Sequence, residues 1–355
     1  MSTEAEIRLA LPGKGALEVA TMAFLAECGM KVSRSNPRQY LARIRSMPDM
    51  EVVFQRAADI PALVQEGDAT LGITGYDILA EHRGYGDIEE DEEADTDDLI
   101  VLERDLGYGS CRLVVAVPET WIDVSTCADL WHLAGYYQAR KGRGLRIATK
   151  YPILTGQFLR QHGITHCKIV SPHGALEAAP LTDTADLIVD LTETGTTLRE
   201  NHLKLLDDGV VLHSQACLIA NVHLLKQNKH ALRMASTMLE LIDARMQARN
   251  RSVLTAYIQG ESVEEVQRVC NRLQPLLSGV EFRPSGTDGV EVSSATMYTI
   301  SGVVKVNGAA GELLEAVALL RNAGAVNINV IPLTYRFASE PQSVRALRER
   351  LKRFR

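Results

Sequence analysis

Aromatic side chains are scarce, at 5% of 355 residues, and nowhere do they interleave with lysine and arginine. A surface that stacks nucleic-acid bases needs that interleaving, so nucleic acid is excluded as a natural partner. The basic C-terminal stretch "RALRERLKRFR" reads instead as a solvated terminal helix. Long apolar runs are also missing: no stretch approaches the ~20 residues that a membrane-spanning helix requires. Hydrophobic residues at 46% against 23% charged suit a soluble globular protein. The opening "MSTEAEIRLALPGKG" is interrupted by charge and broken by Pro-Gly, so it has no secretory apolar region and a cytoplasmic location is expected. The six cysteines form no C-x-x-C pair and sit in apolar strings such as "QACLIAN", which predicts reduced, buried thiols. No H-E-x-x-H or comparable spacing occurs among the nine histidines, and no structural metal is expected from them.

The net charge of −7 is unevenly placed. Nine carboxylates fall in "DIEEDEEADTDD" (87–98), a solvated acidic loop. The rest of the chain is then close to neutral, at about +2, and can host an anionic small molecule.

Along the chain, aliphatic strings alternate with helical periods. "IRLAL" (7–11), a "PGKG" turn and a helix over 16–28 make a strand-loop-helix unit. "MEVVFQ" (50–55), a helix near 59–67 and "ATLGI" (69–73) continue the alternation, which argues for a mainly parallel sheet with ligand loops at strand C-termini. After the acidic run, "CRLVVAVP" (111–118), "LRIATK" (145–150), a helix near 155–162, "CKIV" (167–170) and "DLIVD" (186–190) form a second α/β lobe. The expected division is lobe I over 1–107, lobe II over 108–205, and a return to lobe I at 206–228. From 229 to 355 a linker helix leads into a separate module. Its order of strand 253–259, helix 262–277, strands 279–282 and 289–304, helix 310–324 and strand 326–333 is the β-α-β-β-α-β of a ferredoxin-like domain. Ser262 and Glu265 have capping-box spacing, which predicts a helix start there.

The stretch "VDLTETGTTL" (189–198) carries the chemistry. A buried strand brings Asp190 to its C-terminal end, and Thr192, Thr194, Gly195, Thr196 and Thr197 follow before a helix at Leu198. Backbone N–H groups and hydroxyl donors at such a junction suit a phosphate. Asp190 has the wrong charge for phosphate and the right one for ribose hydroxyls or a metal-bridged sugar phosphate. A phosphorylated ribose satisfies both, while a Thr-rich helix cap without ligand is the plain structural alternative.

"ADLIVDLTETGTTLREN", with "LEAAPL" (176–181) and "LIAN" (218–221), resembles the signature region of the ATP phosphoribosyltransferases, the first enzymes of histidine biosynthesis. "LALPGKGAL" (9–17), "QRAADIPALVQEGDATLGITGYDIL" (55–79), "DLGYGSCRLVVAVPE" (105–119) and "RIATKYPILTGQFL" (146–159) resemble further family segments in collinear order. The resemblance implies a two-lobed fold like type II periplasmic binding proteins, with the C-terminal histidine-binding domain of the long form. It also implies transfer from 5-phosphoribosyl 1-pyrophosphate to N1 of ATP with Mg²⁺ present, feedback inhibition by L-histidine, and dimers that assemble into hexamers. On this pattern Thr194–Thr197 cradle the 5-phosphate, and Lys14 and Arg56 are the catalytic cations that meet the pyrophosphate. Gly72, Thr74, Gly75 and Asp77 line the nucleotide or sugar cleft, Lys150 and Tyr151 lie on the ATP side, and Glu177 touches ribose or Mg²⁺. Two positions depart from the pattern. Ala16 and Gly156 stand where many members carry a basic residue, which points to Arg143, Arg146 or Arg160 as replacements. The competing class is a two-lobed small-molecule receptor without chemistry.

Overall fold

The computed structural model describes residues 7–34, 36, 39–84, 98–171, 175–285, 296–306 and 311–354. Most of the acidic run and the start of the expected 289–304 strand lie outside these. The chain divides into two compact units, Met1–Leu239 with Ser343–Arg355, and Glu240–Gln342.

In the first unit, β1 (Ile7–Pro12), α1 (Ala16–Glu27), β2 (Val32–Ser33), β3 (Leu41–Ile44) and β4 (Met47–Gln55) open the chain. A 3-10 turn at Ala57–Asp59 then leads to α2 (Ile60–Gln65), β5 (Leu71–Gly75), α3 (Tyr76–Arg83) and β6 (Leu99–Glu103). The second lobe runs β7 (Cys111–Pro118), α4 (Cys127–Lys141), β8 (Leu145–Thr149), α5 (Pro152–Gln161), β9 (Cys167–Val170), β10 (Leu187–Thr192), α6 (Thr196–Glu200) and β11 (Leu203–Ser214). β12 (Ala216–Asn221) and α7 (Val222–Gln227) return to lobe I. Strands β5 and β12 are buried along their whole length, as strands covered on both faces must be.

The two sheets repeat one plan. Lobe I orders its strands β2-β3-β4-β1-β5-β12-β6, and lobe II β11-β7-β10-β8-β9. β1 lies parallel between β4 and β5, as β8 lies parallel between β9 and β10. Beside each trio runs one antiparallel strand that has just crossed from the other lobe, β12 in the first sheet and β7 in the second. This is the expected α/β, two-lobed arrangement of the type II periplasmic-binding-protein kind. The two crossing segments bond to each other, Leu106 N–H to Ala216 O and Ala216 N–H to Tyr108 O, both at 3.0 Å.

One boundary differs from expectation. The string 210–221 holds two extended pieces, and the first belongs to β11, which pairs with β7 from Leu203 opposite Pro118 to Ser214 opposite Cys111. The return to lobe I therefore begins at Ala216 rather than 206. None of the six cysteines forms a disulfide, and four of them are buried. None of the described helices is long and apolar enough to cross a membrane.

After α8 (Lys229–Ala248), the second unit contains β13 (Arg251–Gly260), α9 (Val263–Leu273), β14 (Leu277–Pro284), β15 (Thr296–Lys305), α10 (Gly311–Asn322) and β16 (Val326–Pro332). The sheet order β14-β15-β13-β16, antiparallel throughout, is that of a ferredoxin-like domain. Leu254, Ile258, Val266, Leu273, Ile300 and Leu320 form its core. Ser262 caps α9 by accepting the Glu265 N–H at 3.3 Å, while the Glu265 carboxylate accepts from Glu261 N–H rather than from Ser262. The tail does not belong to this unit. α11 (Gln342–Arg353) buries Val344 and Leu347, and the Arg350 guanidinium donates to Val101 O of lobe I, so an apolar stripe anchors a helix whose charges suggested full solvation.

Candidate active site

Three parallel strands end together at one edge of lobe I. Pro12 of β1 pairs with Gln55 of β4, and the Gly13 N–H donates to Gln55 O at 2.7 Å. Lys14 and Arg56 therefore leave adjacent strand ends, both exposed. Gly15, with φ of 83°, opens α1 in the left-handed region that a glycine adopts without strain.

The neighbouring β5, which carries Gly72, Thr74 and Gly75, is buried along its length. Thr74 is fully buried and donates its hydroxyl to Ala57 O at 2.9 Å, fixing the turn that follows Arg56. Gly72 is a packing residue, since an added Cβ would lie 2.6 Å from Ile60 Cγ2 and 2.9 Å from Val64 Cγ2, under α2. At Gly75 the same atom would come within 2.4 Å of Asp77 Oδ1.

Asp77 begins α3, as expected, but its carboxylate is committed across the lobes. It accepts from Ser214 Oγ and from Tyr151 Oη, each at 2.6 Å. The Asp77 N–H donates to the same Ser214 hydroxyl at 2.9 Å. Burial, then the facing Asp77 charge, pushes the Tyr151 phenol far above its ordinary value, so it is a permanent donor. A second bond set runs alongside. Glu81 on α3 accepts from Ile153 N–H at 2.8 Å and Leu154 N–H at 2.9 Å, capping the open amides of α5 with a carboxylate. Gln157 also donates to Gly84 O. Tyr151, expected on the ATP side, joins the two lobes through its bond to Asp77.

The facing edge of lobe II holds the acidic and hydroxyl groups. Val189 of β10 pairs with Thr149 of β8, so Asp190, still within β10, stands beside the exposed Lys150 that follows β8. Burial raises the Asp190 carboxyl and the half-buried Glu177 raises it further, while the Leu191 N–H and Lys150 act in the opposite sense. Beyond it, Thr192 is buried and accepts the Gly195 N–H at 2.8 Å, stapling the loop from within. Gly195, at φ of 77°, turns the chain into α6. Thr194, Thr196 and Thr197 are exposed, with the first two hydroxyls 2.9 Å apart. α6 has only five residues, so its dipole is weak and the loop's amides and hydroxyls must do most of the anion binding.

Of the replacement cations, Arg143 and Arg146 are elsewhere. Both clasp Asp186 just before β10, at the opposite end of the strands from the threonine loop, with Arg143 bidentate at 2.6 and 2.9 Å. Arg160 does lie beside the gap, its Nη1 3.4 Å from where a Gly156 Cβ would stand. Arg199, Ser214 and Glu81 are the groups sequence reasoning missed. Arg199 Nη2 donates toward Thr196 Oγ1 at 3.4 Å, and the arginine following "TTL" was the available signal.

The profile of the ATP phosphoribosyltransferase family (HisG) matches residues 56–244, a span that takes in the second-lobe strands and the threonine loop. The chain is also 37% identical over 340 residues to ATP phosphoribosyltransferase 1, chloroplastic, of Arabidopsis thaliana, covering 94% of this chain and 78% of that protein. The chain belongs to the ATP phosphoribosyltransferase family. A further ATP phosphoribosyltransferase, from Brucella melitensis, is 44% identical over 216 residues, 60% of this chain and 89% of that protein. Among solved structures, the ATP phosphoribosyl transferase (HisG:HisZ) complex from Thermotoga maritima is similar at 27% identity, with a TM-score of 0.48 over 67% of this chain and 98% of that one. As an ATP phosphoribosyltransferase the chain is an enzyme of histidine biosynthesis, which removes the non-catalytic receptor reading.

Proposed function

We propose that the chain joins N1 of ATP to C1 of 5-phosphoribosyl 1-pyrophosphate, releasing pyrophosphate, and that L-histidine inhibits it. The observation that carries the catalytic reading is the pairing of a desolvated Asp190, flanked by Glu177 and Lys150, with the exposed Thr194–Thr197 loop a few residues on. Loop amides and hydroxyls take the 5-phosphate, and Asp190 accepts from the ribose hydroxyls. Breaking the anomeric C–O bond builds negative charge on the pyrophosphate, and Lys14 and Arg56 answer it as cations. The attacking ring nitrogen forms the new C–N bond as the C–O bond breaks, with the electron pair leaving on the pyrophosphate oxygen. Lys150 serves the nucleotide side.

Magnesium fits this donor set. A half-buried carboxylate raised by a second acid nearby is relieved by a hard cation, and Mg²⁺ takes one or two carboxylates together with substrate phosphates. When bound it supplies charge neutralisation of the phosphates. Asp190 and Glu177 are the residues that would hold it.

Histidine control is supported by the ferredoxin-like unit, which a 340-residue match to the plant relative necessarily includes. The dimer-to-hexamer assembly belongs to the same reading. Incubating the protein with ATP, 5-phosphoribosyl 1-pyrophosphate and Mg²⁺ should release pyrophosphate only when all three are present. No release with the complete mixture sinks the catalytic reading.

A further inference from the structure

Three potential ligands converge in lobe II away from the substrate loops. Cys127 is the first residue of α4, His162 ends α5, and Asp208 lies in the irregular stretch where the β11–β7 register slips between Leu205 and Val210. The Cys127 Sγ, a His162 ring nitrogen and an Asp208 carboxylate oxygen all lie within 4.8 Å of one another, the cysteine buried and the other two exposed. The cluster is held by its own surroundings. Asp208 Oδ1 accepts the Cys127 N–H at 2.7 Å, and the His162 ring packs on Phe158 with centroids 4.4 Å apart. Neither ring nitrogen of His162 has a hydrogen-bond partner among the described residues.

We propose that Cys127, His162 and Asp208 bind one borderline-soft divalent transition-metal ion of the zinc class, with water completing the coordination. Thiolate, imidazole and carboxylate are the donors zinc takes, whereas Mg²⁺ takes oxygen alone, so this ion is not the substrate's metal. Bonds of about 2.0–2.3 Å in a tetrahedral site place donors roughly 3.3–3.8 Å apart. The cluster closes by about 1.5 Å at most, through rotation of two exposed side chains. On binding, the Cys127 S–H bond breaks, the S–metal bond forms and the proton leaves to solvent. Thiolate and carboxylate then neutralise the dication. The adjacent Asp207 and the negative C-terminal end of α5 favour it further, against the opposing N-terminal end of α4.

The ion would tie α4, α5 and β11 together. Its distance from the lobe contact follows from the helix: a rise of 1.5 Å per residue puts His162 about 12–14 Å from the α5 amides of Ile153 and Leu154 that Glu81 caps. This is a structural site that stiffens the helix carrying the cross-lobe bonds, and sequence spacing could not reveal it because the three ligands are 35 and 46 residues apart.

The test is a Co²⁺ titration of the full chain after chelator treatment. The expected result is one equivalent bound, a thiolate-to-cobalt charge-transfer band, and its loss on adding Zn²⁺. C127S should lack the band. H162A, a change at an exposed side chain, should weaken binding by at least the roughly 10–100-fold that losing even an outer partner costs. Zn²⁺ should also raise the unfolding midpoint of the parent chain and not that of H162A. Absence of the band in the parent chain, or an undiminished band and affinity in H162A, overturns the proposal.

Discussion

At the residue scale, Lys14 and Arg56 follow the ends of β1 and β4, Asp190 sits inside β10 two residues before its end, and the exposed threonines lie beyond that end. Thr74, Asp77 and Tyr151 are tied into the free protein by hydrogen bonds. Their partners lie far away in sequence: Ser214 is 137 residues from Asp77, and Tyr151 is 74. No local pattern encodes such a pairing. Two substitutions separate binding from support. Thr194→Ala with Thr197→Ala removes two exposed hydroxyls, each worth roughly 1.5–3 kcal/mol if bonded to phosphate. The apparent constant for 5-phosphoribosyl 1-pyrophosphate should rise by about two orders of magnitude or more in steady-state assays, and an unchanged constant removes the loop from the site. Asp190→Asn tests the opposite balance. Burial and Glu177 hold the Asp190 carboxyl above its unfolded value, so its ionised form destabilises the fold at pH above that raised value. The Asn variant should lose activity yet unfold at a higher temperature at pH 7, and the gain should vanish below about pH 4, where the carboxyl is neutral in both states. A lower midpoint at pH 7 would mean that the carboxylate is paid back by contacts within the free protein.

At the element scale, strands and helices of both units were readable from period and breaker residues, down to the β-α-β-β-α-β order. Boundaries that depend on pairing were hidden. The polar His213, Ser214 and Gln215 divide "VVLHSQACLIAN" into two extended pieces, but which sheet each piece joins is decided by strand pairing, which the local sequence does not encode. The Asp186 cluster is an element-level lock of the same hidden kind. Its carboxylate joins Arg143 and Arg146 and so ties the start of β8 to the start of β10, and those guanidiniums hold it well below the usual range against the cost of burial. A depressed carboxyl gives stability that is fully present above the unfolded value of about 3.9 and is lost as pH falls toward the folded one. Asp186→Asn should cost roughly 3 kcal/mol at pH 7, the low end for removing one partner of a buried pair, since Arg143 remains partly exposed. Denaturant titrations should show the gap narrowing below about pH 4. A gap that stays constant down to pH 3 rules out the ion pairs as its source.

At the scale of the whole molecule, the catalytic loops belong to the first unit and the ferredoxin-like fold to the second. Cutting the chain before Glu240 would also remove α11, whose Val344 and Leu347 are buried in the first unit, so truncation confounds regulation with folding. The intact chain gives the cleaner test. If L-histidine binds the second unit and lowers substrate affinity, the effect is a coupling free energy of about 1–3 kcal/mol, a factor of roughly 5–150. Reciprocity then fixes a second number. Calorimetric titration with histidine, with and without saturating 5-phosphoribosyl 1-pyrophosphate, should show histidine affinity reduced by the same factor that histidine imposes on substrate affinity. Hydrogen exchange should slow on histidine addition in the strands β13 and β15 of the second unit. Slowing confined to residues 7–228 would make histidine a competitor at the substrate loops, and an active chain indifferent to histidine would leave the second unit with another effector.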